Sequence, residues 1–404
     1  MHPMVKPALR RGWRDLNTVQ FGMTPAHALT LAPVSTATGS FLELLNGTRG
    51  LALLREEAHR MDLPEGHVDR VVERLAGAGL LDDSRGGGPA ADALREKQGV
   101  LDRLGPDLAT LSLTTSAPGD AMRHLAARRA LRVGVRGAGR VGAVLAGLLS
   151  GAGVGEVDVR DGGCVEPWDV APGGLPAGSV GDRRDESARR VVRAAAPDRP
   201  PRRGPTAAPD ESEPGLSLVV VAPRDDVAVH TPDPASAESL MASGTPHLYA
   251  GVVEGTGVVG PLVLPGETGC AGCLYADRTD RDPAWPRLVA QWRSARPHQV
   301  RPCDLTLAAT VAGLAAAHAL AFLDGGTPAA TGVRWEVSLP ALRWHARPVP
   351  AHPACPCGAA AQGKEGHIPE DGPQRATMAG QGPSSVVRHG VGRARPAGTW
   401  RAHV

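Results

Sequence analysis

The chain has 404 residues, enough for two or more domains that each bury a core. Its 44 basic and 42 acidic residues leave a formal net charge of +2, so no strong global field attracts nucleic acid or anionic lipid. We find no apolar run of bilayer length and no apolar signal core at the N-terminus, so we expect a cytoplasmic protein without membrane contact.

The N-terminal region predicts a small domain over residues 1–83. The segment "DLNTVQFGMTPAHALTLAP" predicts a hairpin, and from Phe41 apolar residues recur at helical spacing in three blocks separated by "NGT" and "DLPEG". The unit closes on "GAGLLDD", typical of a wing or a final strand. The arrangement resembles winged-helix domains of the PqqD type, which bind peptides by adding a strand to an exposed edge. A general helical cap fits the same pattern.

Residues 84–120 predict a glycine-rich linker that merges into a helix, and residues 121–358 predict an α/β fold with a Rossmann-like, doubly wound sheet. Its strands include "LRVGV", "VGEVDVRD" and "LSLVVVAPRDD". The segment "DLTLAATVAGLAAAHALAFLDGG" predicts a long helix, apolar on almost every side and hence buried or at a subunit interface. Residues 359–404 lack periodicity and predict a disordered tail.

A strand followed by G-x-G-x-x-G and a helix favours nucleotide binding at Gly137, Gly139 and Gly142. The first glycine permits a sharp turn, the second lets the backbone approach a phosphate, and the third lets helix and strand pack closely. Asp161, at the end of the next strand, is placed to accept hydrogen bonds from ribose hydroxyls. An NAD site has the same layout, and a Rossmann fold that has lost its ligand is the remaining alternative.

Four of the six cysteines form two close pairs, Cys270 with Cys273 and Cys355 with Cys357. Two thiolates from each of two tight turns complete a tetrahedral shell, so the spacing predicts a structural zinc site with no open position. We expect the metal to fasten the C-terminal strands to the α/β body. Free thiols and disulfides are the alternatives, and His345 or His352 is better explained as a surface residue than as a ligand.

The order of these motifs resembles the ThiF/MoeB/HesA family of adenylating enzymes over about residues 131–358. The resemblance implies ATP and Mg²⁺ as cofactors, a homodimer, and activation of the C-terminal carboxylate of a ubiquitin-like protein or a peptide as an acyl-adenylate. It places the phosphate loop at the three glycines and ribose binding at Asp161. It assigns magnesium binding to Asp225, with Asp226 as the fallback.

The chain departs from the family pattern in the crossover loop after the second strand. Asp169 stands at a family asparagine, Pro172 at a family arginine, and Arg184 at a family lysine that implies a cation near the phosphates. Losing one cation could slow adenylation by about 10²–10³. Arg140 or Arg183 are the candidates for compensation, although each also fits a solvated loop arginine. Cys303 lies close to the acyl-accepting thiol of some members, and Cys164 is a weaker candidate.

Three functions follow from these observations. The first is a ThiF-type adenylyltransferase that acts on a protein or peptide C-terminus. The second is a catalytically impaired scaffold whose N-terminal domain binds a peptide, as in leader-peptide-binding proteins of azole-type ribosomal peptide pathways. The third is an NAD-dependent oxidoreductase, which the glycine loop and Asp161 alone would permit.

Overall fold

A computed structural model describes residues 1–198, 215–295, 300 and 302–362. In these ranges the chain forms a small N-terminal unit, a helical segment and an α/β unit built on a seven-stranded sheet. The motifs along the sequence therefore map onto three successive units. The α/β unit carries the glycine loop and all six cysteines, so the fold places both predicted sites in one body.

The N-terminal unit contains the predicted hairpin, three helices and closing strand, but its first helix begins at Thr36, five residues before the predicted start at Phe41. Its strands are β1 (Pro3–Val5), β2 (Arg11–Asp15), β3 (Thr18–Phe21), β4 (Leu29–Leu31) and β5 (Leu81–Asp83). Its helices are α1 (Thr36–Leu42), α2 (Leu51–Arg60) and α3 (His67–Gly77). Strands β2, β3 and β4 form one antiparallel sheet, and β1 pairs with β5. The likeness to PqqD-type winged helices stays a prediction.

The segment after this unit is helical over more of its length than the linker and single helix predicted for 84–120. It contains α4 (Pro89–Arg95), α5 (Gln98–Thr114) and α6 (Asp120–Arg128). Apolar side chains spaced along these helices bury one another, among them Leu94, Leu104 and Leu125. This packing stabilises helices where the sequence predicted a linker. The glycine run covers only the first few residues of the segment. The ammonium of Lys6 donates to the Thr115 carbonyl at 2.7 Å and joins the segment to the N-terminal unit.

The large sheet has the order β12-β11-β10-β9-β8-β6-β7. Four strands are parallel: β6 (Arg132–Arg136), β7 (Glu156–Arg160), β8 (Leu218–Val221) and β9 (His247–Val253). Three antiparallel strands extend it beyond β9, and these are β10 (Thr256–Val263), β11 (Val333–Ser338) and β12 (Arg343–Pro348). Strands β6 and β8 are buried apolar runs, as expected for parallel strands covered on both faces.

Helices cover both faces of this sheet, which confirms the predicted doubly wound α/β fold. They are α7 (Arg140–Gly151), α8 (Arg184–Ala195), α9 (Asp226–His230), α10 (Glu238–Ala242), α11 (Ala271–Arg281), α12 (Trp285–Ser294) and α13 (Leu305–Leu323). A Cβ added at Gly251 would meet Val229 of α9 at 2.4 Å, whereas one at Gly257 would meet Val311 of α13 at 2.6 Å. Since these glycines lie on opposite faces, so do α9 and α13.

Helix α13 is the long apolar helix that the sequence predicts. By length and composition its 19 residues could cross a bilayer, so the expectation that no apolar run reaches that length is wrong. Its buried residues, such as Leu307 and Val311, belong to the main core beside α7 and the sheet. A core location accounts for its composition.

The predicted disordered tail begins too early. Residues Ala359–Gln362 form a short 3₁₀ turn, and Ala359 is fully buried, so the α/β unit continues past the last cysteine. The rest of the predicted tail, residues 363–404, lies outside the described residues.

Candidate functional site

The glycine loop joins β6 to the N-terminus of α7. Gly137 has a φ of +109°, which glycine adopts without strain, and a Cβ there would lie 2.0 Å from the Ala222 carbonyl oxygen. A Cβ at Gly142 would lie 2.0 Å from the Gly137 carbonyl oxygen. The first and third glycines are therefore required by close backbone packing. The first amide groups of α7 remain available to an anion, as they do at a helix N-terminus generally.

Asp161 follows β7 and closes onto this loop. Its Oδ2 accepts a hydrogen bond from the Ala138 amide at 2.7 Å, and its Oδ1 accepts one from Nη1 of Arg184 at 2.8 Å. Arg184, at the start of α8, is 4 % exposed. Asp161 is thus held by the phosphate loop on one side and by a buried guanidinium on the other.

Arg184 has little capacity left for a ligand. Its Nε donates to Asp169 at 3.2 Å, its Nη1 also reaches the Gly162 carbonyl, and its Nη2 reaches the Cys164 carbonyl and lies 3.7 Å from Glu166. A guanidinium has five N–H donors, and these acceptors surround all three of its nitrogens. Arg184, predicted as a cation near the phosphates, is therefore a buried residue whose hydrogen bonds connect the end of β7 to the crossover loop.

A second arginine, Arg224, lies closer to solvent than Arg184. It follows β8, and its Nε donates to Oδ1 of Asp169 at 2.8 Å while its Nη2 bonds Oε2 of Glu166. A Cβ at Gly139 would meet the Arg224 stem at 2.8 Å, so the middle glycine of the loop makes room for this side chain. The hydrogen bond from Arg224 lowers the pKa of Glu166, because it favours the charged carboxylate.

Asp169 and Glu166 belong to one turn, the 3₁₀ segment Pro167–Asp169 and its N-cap. The Glu166 amide donates to Asp169 at 3.0 Å, and each side chain bonds the backbone of the other residue in a reciprocal capping box. The turn directs both carboxylates towards Arg224. Asp169, at the family asparagine, thus becomes the shared partner of two arginines.

Two cavities meet at Arg224. The first has a volume of about 520 Å³ and includes Gly137, Asp161 and Asp225 in its lining. The second has a volume of about 620 Å³ and includes Gly139, Glu166, Asp169 and Cys303. Pro223 and Arg224 line both cavities. The structure therefore brings Gly137, the predicted ribose ligand and the predicted magnesium ligand to the first cavity, and Gly139 and Gly142 to the second cavity beside it.

Asp225 lies in the first cavity, but its carboxylate caps a helix. Its Oδ1 accepts a hydrogen bond from the Ala228 amide at 3.0 Å at the N-terminus of α9. Asp226, the fallback, is the first residue of that helix and bonds the Val227 amide. Within the described ranges, four cysteines form the only group of three or more potential ligands close enough to share an ion.

Cys303 lies in the second cavity, half-buried before α13. Burial raises the pKa of its thiol, with the nearby Asp304 carboxylate acting in the same direction. A raised pKa disfavours the nucleophilic thiolate. Cys164 is exposed, and its carbonyl oxygen accepts a bond from Arg184.

The two arginines proposed to compensate for Pro172 lie in different surroundings. Arg140 lines the second cavity and donates to the Cys303 carbonyl at 2.8 Å. Arg183 is largely exposed and pairs with Asp185. The sequence reasoning did not select Arg224, although it stands beside Asp225 in the strand-end segment "LVVVAPRDD" and that position was the available signal.

The four predicted zinc ligands come together. Their Sγ atoms all lie within 4.8 Å of one another, and the closest pairs are 3.9 Å for Cys270–Cys273, 3.7 Å for Cys270–Cys355 and 3.5 Å for Cys273–Cys357. A tetrahedral shell with Zn–S bonds of about 2.3 Å requires sulfurs about 3.8 Å apart. All six cysteines are free thiols, so the disulfide alternative is not what the structure shows.

The environment of this cluster suits a cation. Burial raises the pKa of Cys357 to about 11, and contact with Cys273 together with burial raises the pKa of Cys270. Four crowded sulfurs cannot all ionise without a positive charge among them. His352 bonds Asp280 at 3.0 Å instead of joining the cluster, and His345 lies on the exposed strand β12.

The cluster and the first cavity share Tyr249. This residue of β9 packs with Cys270 and Cys273 and also lines the cavity. Its buried hydroxyl has no partner among the described residues, and burial raises its pKa. The cysteine cluster thus supports one wall of the cavity from behind.

Comparison with known proteins agrees with this geometry. The sequence model of the ThiF family matches residues 118–357. The chain belongs to the ThiF family. Its match covers the glycine loop, both cavities and all four clustered cysteines, and this family assignment gives no support to the NAD-dependent oxidoreductase. No curated protein sequence matches the chain.

Solved ThiF-like structures share the fold at low sequence identity. E. coli MccB crystallised with MccA has a TM-score of 0.63 and 15 % identity, over 89 % of this chain and 99 % of that one. E. coli MccB with ATP has a TM-score of 0.63 and 14 % identity, over 88 % and 99 % of the two chains. PaaA has a TM-score of 0.58 and 16 % identity, over 86 % and 100 %. The likeness extends over the N-terminal unit as well as the ThiF-like body.

Proposed function

We propose that this ThiF-family protein uses ATP to activate the C-terminal carboxylate of a peptide as an acyl-adenylate. The observation that supports it most directly is that Gly137, Asp161 and Asp225 line one cavity at the carboxyl ends of the parallel strands. E. coli MccB, a structural neighbour, has been crystallised with ATP and with MccA.

In this proposal the nucleotide spans both cavities, with its ribose in the first cavity and its phosphates at the start of α7 in the second, which the peptide carboxylate also enters. The amides at the start of α7 bind phosphate, and Asp161 binds the ribose. Arg184 is a positioning residue, because its hydrogen bonds fix the carboxylates of Asp161 and Asp169. The carboxylate oxygen attacks the α-phosphorus, the bond to the bridging oxygen breaks, and pyrophosphate leaves with that electron pair. Cys303, ranked above Cys164 by the sequence, is a poor candidate for a subsequent acyl acceptor because of its raised pKa.

The residues of this protein fit zinc better than they fit magnesium. The four cysteines fit a structural zinc in ligand type, number and spacing, and the metal would hold α11 against the segment that follows β12. Magnesium fits less well, because Asp225 caps α9 and the remaining carboxylates pair with arginines. We therefore expect no preformed carboxylate site for Mg²⁺.

We further propose that the protein is a cytoplasmic homodimer whose N-terminal unit holds the peptide. Helix α13 presents Ala309, Ala317 and Ala321 at its outer face, and the all-exposed edge strand β2 is suited to pairing with an extended peptide. Light scattering tests the dimer, and a mass equal to one chain would contradict it. Whether the protein partner is a ubiquitin-like protein or a ribosomal precursor peptide is decided by the substrate assay below.

ATP–pyrophosphate exchange with candidate peptides tests the adenylation itself. Exchange should require a peptide with a free C-terminal carboxylate and should disappear when that terminus is amidated, because the amide cannot attack phosphorus. Peptide binding is measured in parallel by calorimetry. Tight peptide binding without exchange for any carboxylate would contradict the proposal and favour the impaired scaffold instead.

A further inference from the structure

Magnesium is the cofactor that the carboxylates of this site fit poorly, and the reason is specific. Asp161 bonds the Ala138 amide and Arg184, and Asp225 bonds the Ala228 amide. Glu166 and Asp169 are the two carboxylates that point to a common position, and Arg224 lies between them. The place that a divalent ion would take between these two side chains already contains a positive charge of the chain.

The geometry around Arg224 is that of a bound cation. Its Nε is 2.8 Å from Asp169, its Nη2 contacts Glu166, and Asp169 is only 3 % exposed. Burial by itself would lower the pKa of Arg224, but the bonds with Glu166 and Asp169 raise it above its ordinary value, so the guanidinium stays charged. The capping box at Pro167–Asp169 holds the two carboxylates in place independently of Arg224.

We propose that the Arg224 guanidinium is a built-in cation that takes the place of a divalent metal ion between Glu166 and Asp169. It lies at the junction of the two cavities, where an anionic phosphate or carboxylate group would meet it. A guanidinium presents planar, paired donors to such oxyanions. Anion binding at this junction would then need no divalent ion. That consequence rests on the proposed adenylation, whereas the replacement of the metal ion by Arg224 does not.

Binding of Mn²⁺, followed by electron paramagnetic resonance on the zinc-loaded full chain, tests the cation replacement without any nucleotide. The wild type should show no site at this position. Arg224→Ala should acquire one Mn²⁺ site, because it removes the cation that binds Oδ1 of Asp169 and Oε2 of Glu166, while Arg184 still occupies Oδ2 of Asp169. The added change Asp169→Asn should weaken that site by at least about tenfold.

The control is Arg183→Ala, which removes an exposed guanidinium from the carboxylate of Asp185 outside both cavities. It should acquire no comparable site. If Arg224→Ala does not fold, Arg224→Gln provides the same neutralisation with a larger side chain. A wild-type Mn²⁺ site that Asp169→Asn abolishes would overturn the proposal, as would neutral, folded Arg224 variants that acquire no site.

A second experiment measures ATP binding calorimetrically in buffer depleted of divalent ions and in buffer with Mg²⁺. Wild-type affinity should agree within about twofold between the two, while Arg224→Ala should lose about 10- to 100-fold without Mg²⁺ and recover part of it with Mg²⁺. Strictly Mg²⁺-dependent wild-type binding would overturn the built-in cation but not adenylation. Absence of ATP binding in both buffers would contradict adenylation, while the Mn²⁺ result would still decide the cation replacement.

Discussion

The cysteine cluster and the first cavity are neighbours that share Tyr249, yet the cluster and the charged network around the cavity balance charge in opposite ways. The cluster gathers four thiols, and no charged side chain of the described residues is paired with them. The network pairs the carboxylates of Asp161, Glu166 and Asp169 with Arg184 and Arg224. The first arrangement calls for a metal ion from outside, and the second contains its own cations. Removing the metal should therefore reduce stability, whereas removing an arginine should change ion and ligand binding.

The largest effect should come from the cluster. Cys273→Ser removes a buried ligand of the proposed zinc site, and because the binding energy of structural zinc contributes directly to folding, Tm should fall on the order of 10 °C. Metal analysis should show loss of the zinc, and calorimetry should show the lower Tm. Cys164→Ser is the matched control, since that thiol is exposed and lies outside the cluster. Equal zinc content and Tm in the two variants would contradict the zinc site.

Disrupting the glycine loop should reduce stability and nucleotide binding without loss of the metal. Gly142→Ala places a methyl group 2.0 Å from the Gly137 carbonyl oxygen, so loop and helix must separate, and stability should fall by more than about 3 kcal/mol. ATP binding should be abolished while zinc content stays unchanged. Gly99→Ala in α5, where nothing lies within 4 Å, should be neutral or stabilising. Urea unfolding and calorimetric titration measure both quantities.

A single carboxylate of the cavity should affect binding more than folding. Asp161→Asn keeps an oxygen for the Ala138 amide but loses the charge that pairs with Arg184 and that would accept ribose hydroxyls. ATP affinity should fall about 10- to 100-fold. Asp158→Asn, on the same strand and paired with the exposed Arg160, should leave affinity unchanged. An unaltered affinity in Asp161→Asn would remove Asp161 from the ribose site.

The smallest effect concerns a buried histidine outside both regions. Burial lowers the pKa of His230 from 6.5 to about 4, and Arg278 and Arg334 act in the same direction against Glu336. Between these values the unfolded chain binds the extra proton, so this contribution to stability is complete above pH 6.5 and is lost as pH falls towards about 4.

His230→Phe should therefore lose less stability on acidification than the wild type does. Urea unfolding at about pH 7.5 and about pH 4.5 measures the difference, and His345→Phe on the exposed strand β12 is the control. Acid release of zinc destabilises every variant alike and cancels in the comparison. Equal acid sensitivity in wild type and His230→Phe would contradict the assignment.

Much of the fold could be predicted because its signals are local. Strand, glycine loop and helix follow one another within residues 131–151, and each cysteine pair lies in one tight turn. The helices at residues 89–114 escaped prediction because their apolar spacing is weak and adjoins a glycine run. Their stability comes from packing against one another, which a local pattern does not reveal.

The sequence by itself determined the ThiF-like order of elements, the three glycines and the four thiol ligands, because each depends on the backbone or on residues a few positions apart. Only the tertiary structure decided which charges meet. Arg224 and Glu166 are 58 positions apart, and Arg184 reaches Asp161 across 23. These long side chains belong to separate loops, and which of them pair depends on how the strand ends place the loops. The same residues are compatible with an open cation site, and only the fold determines that they form a closed network.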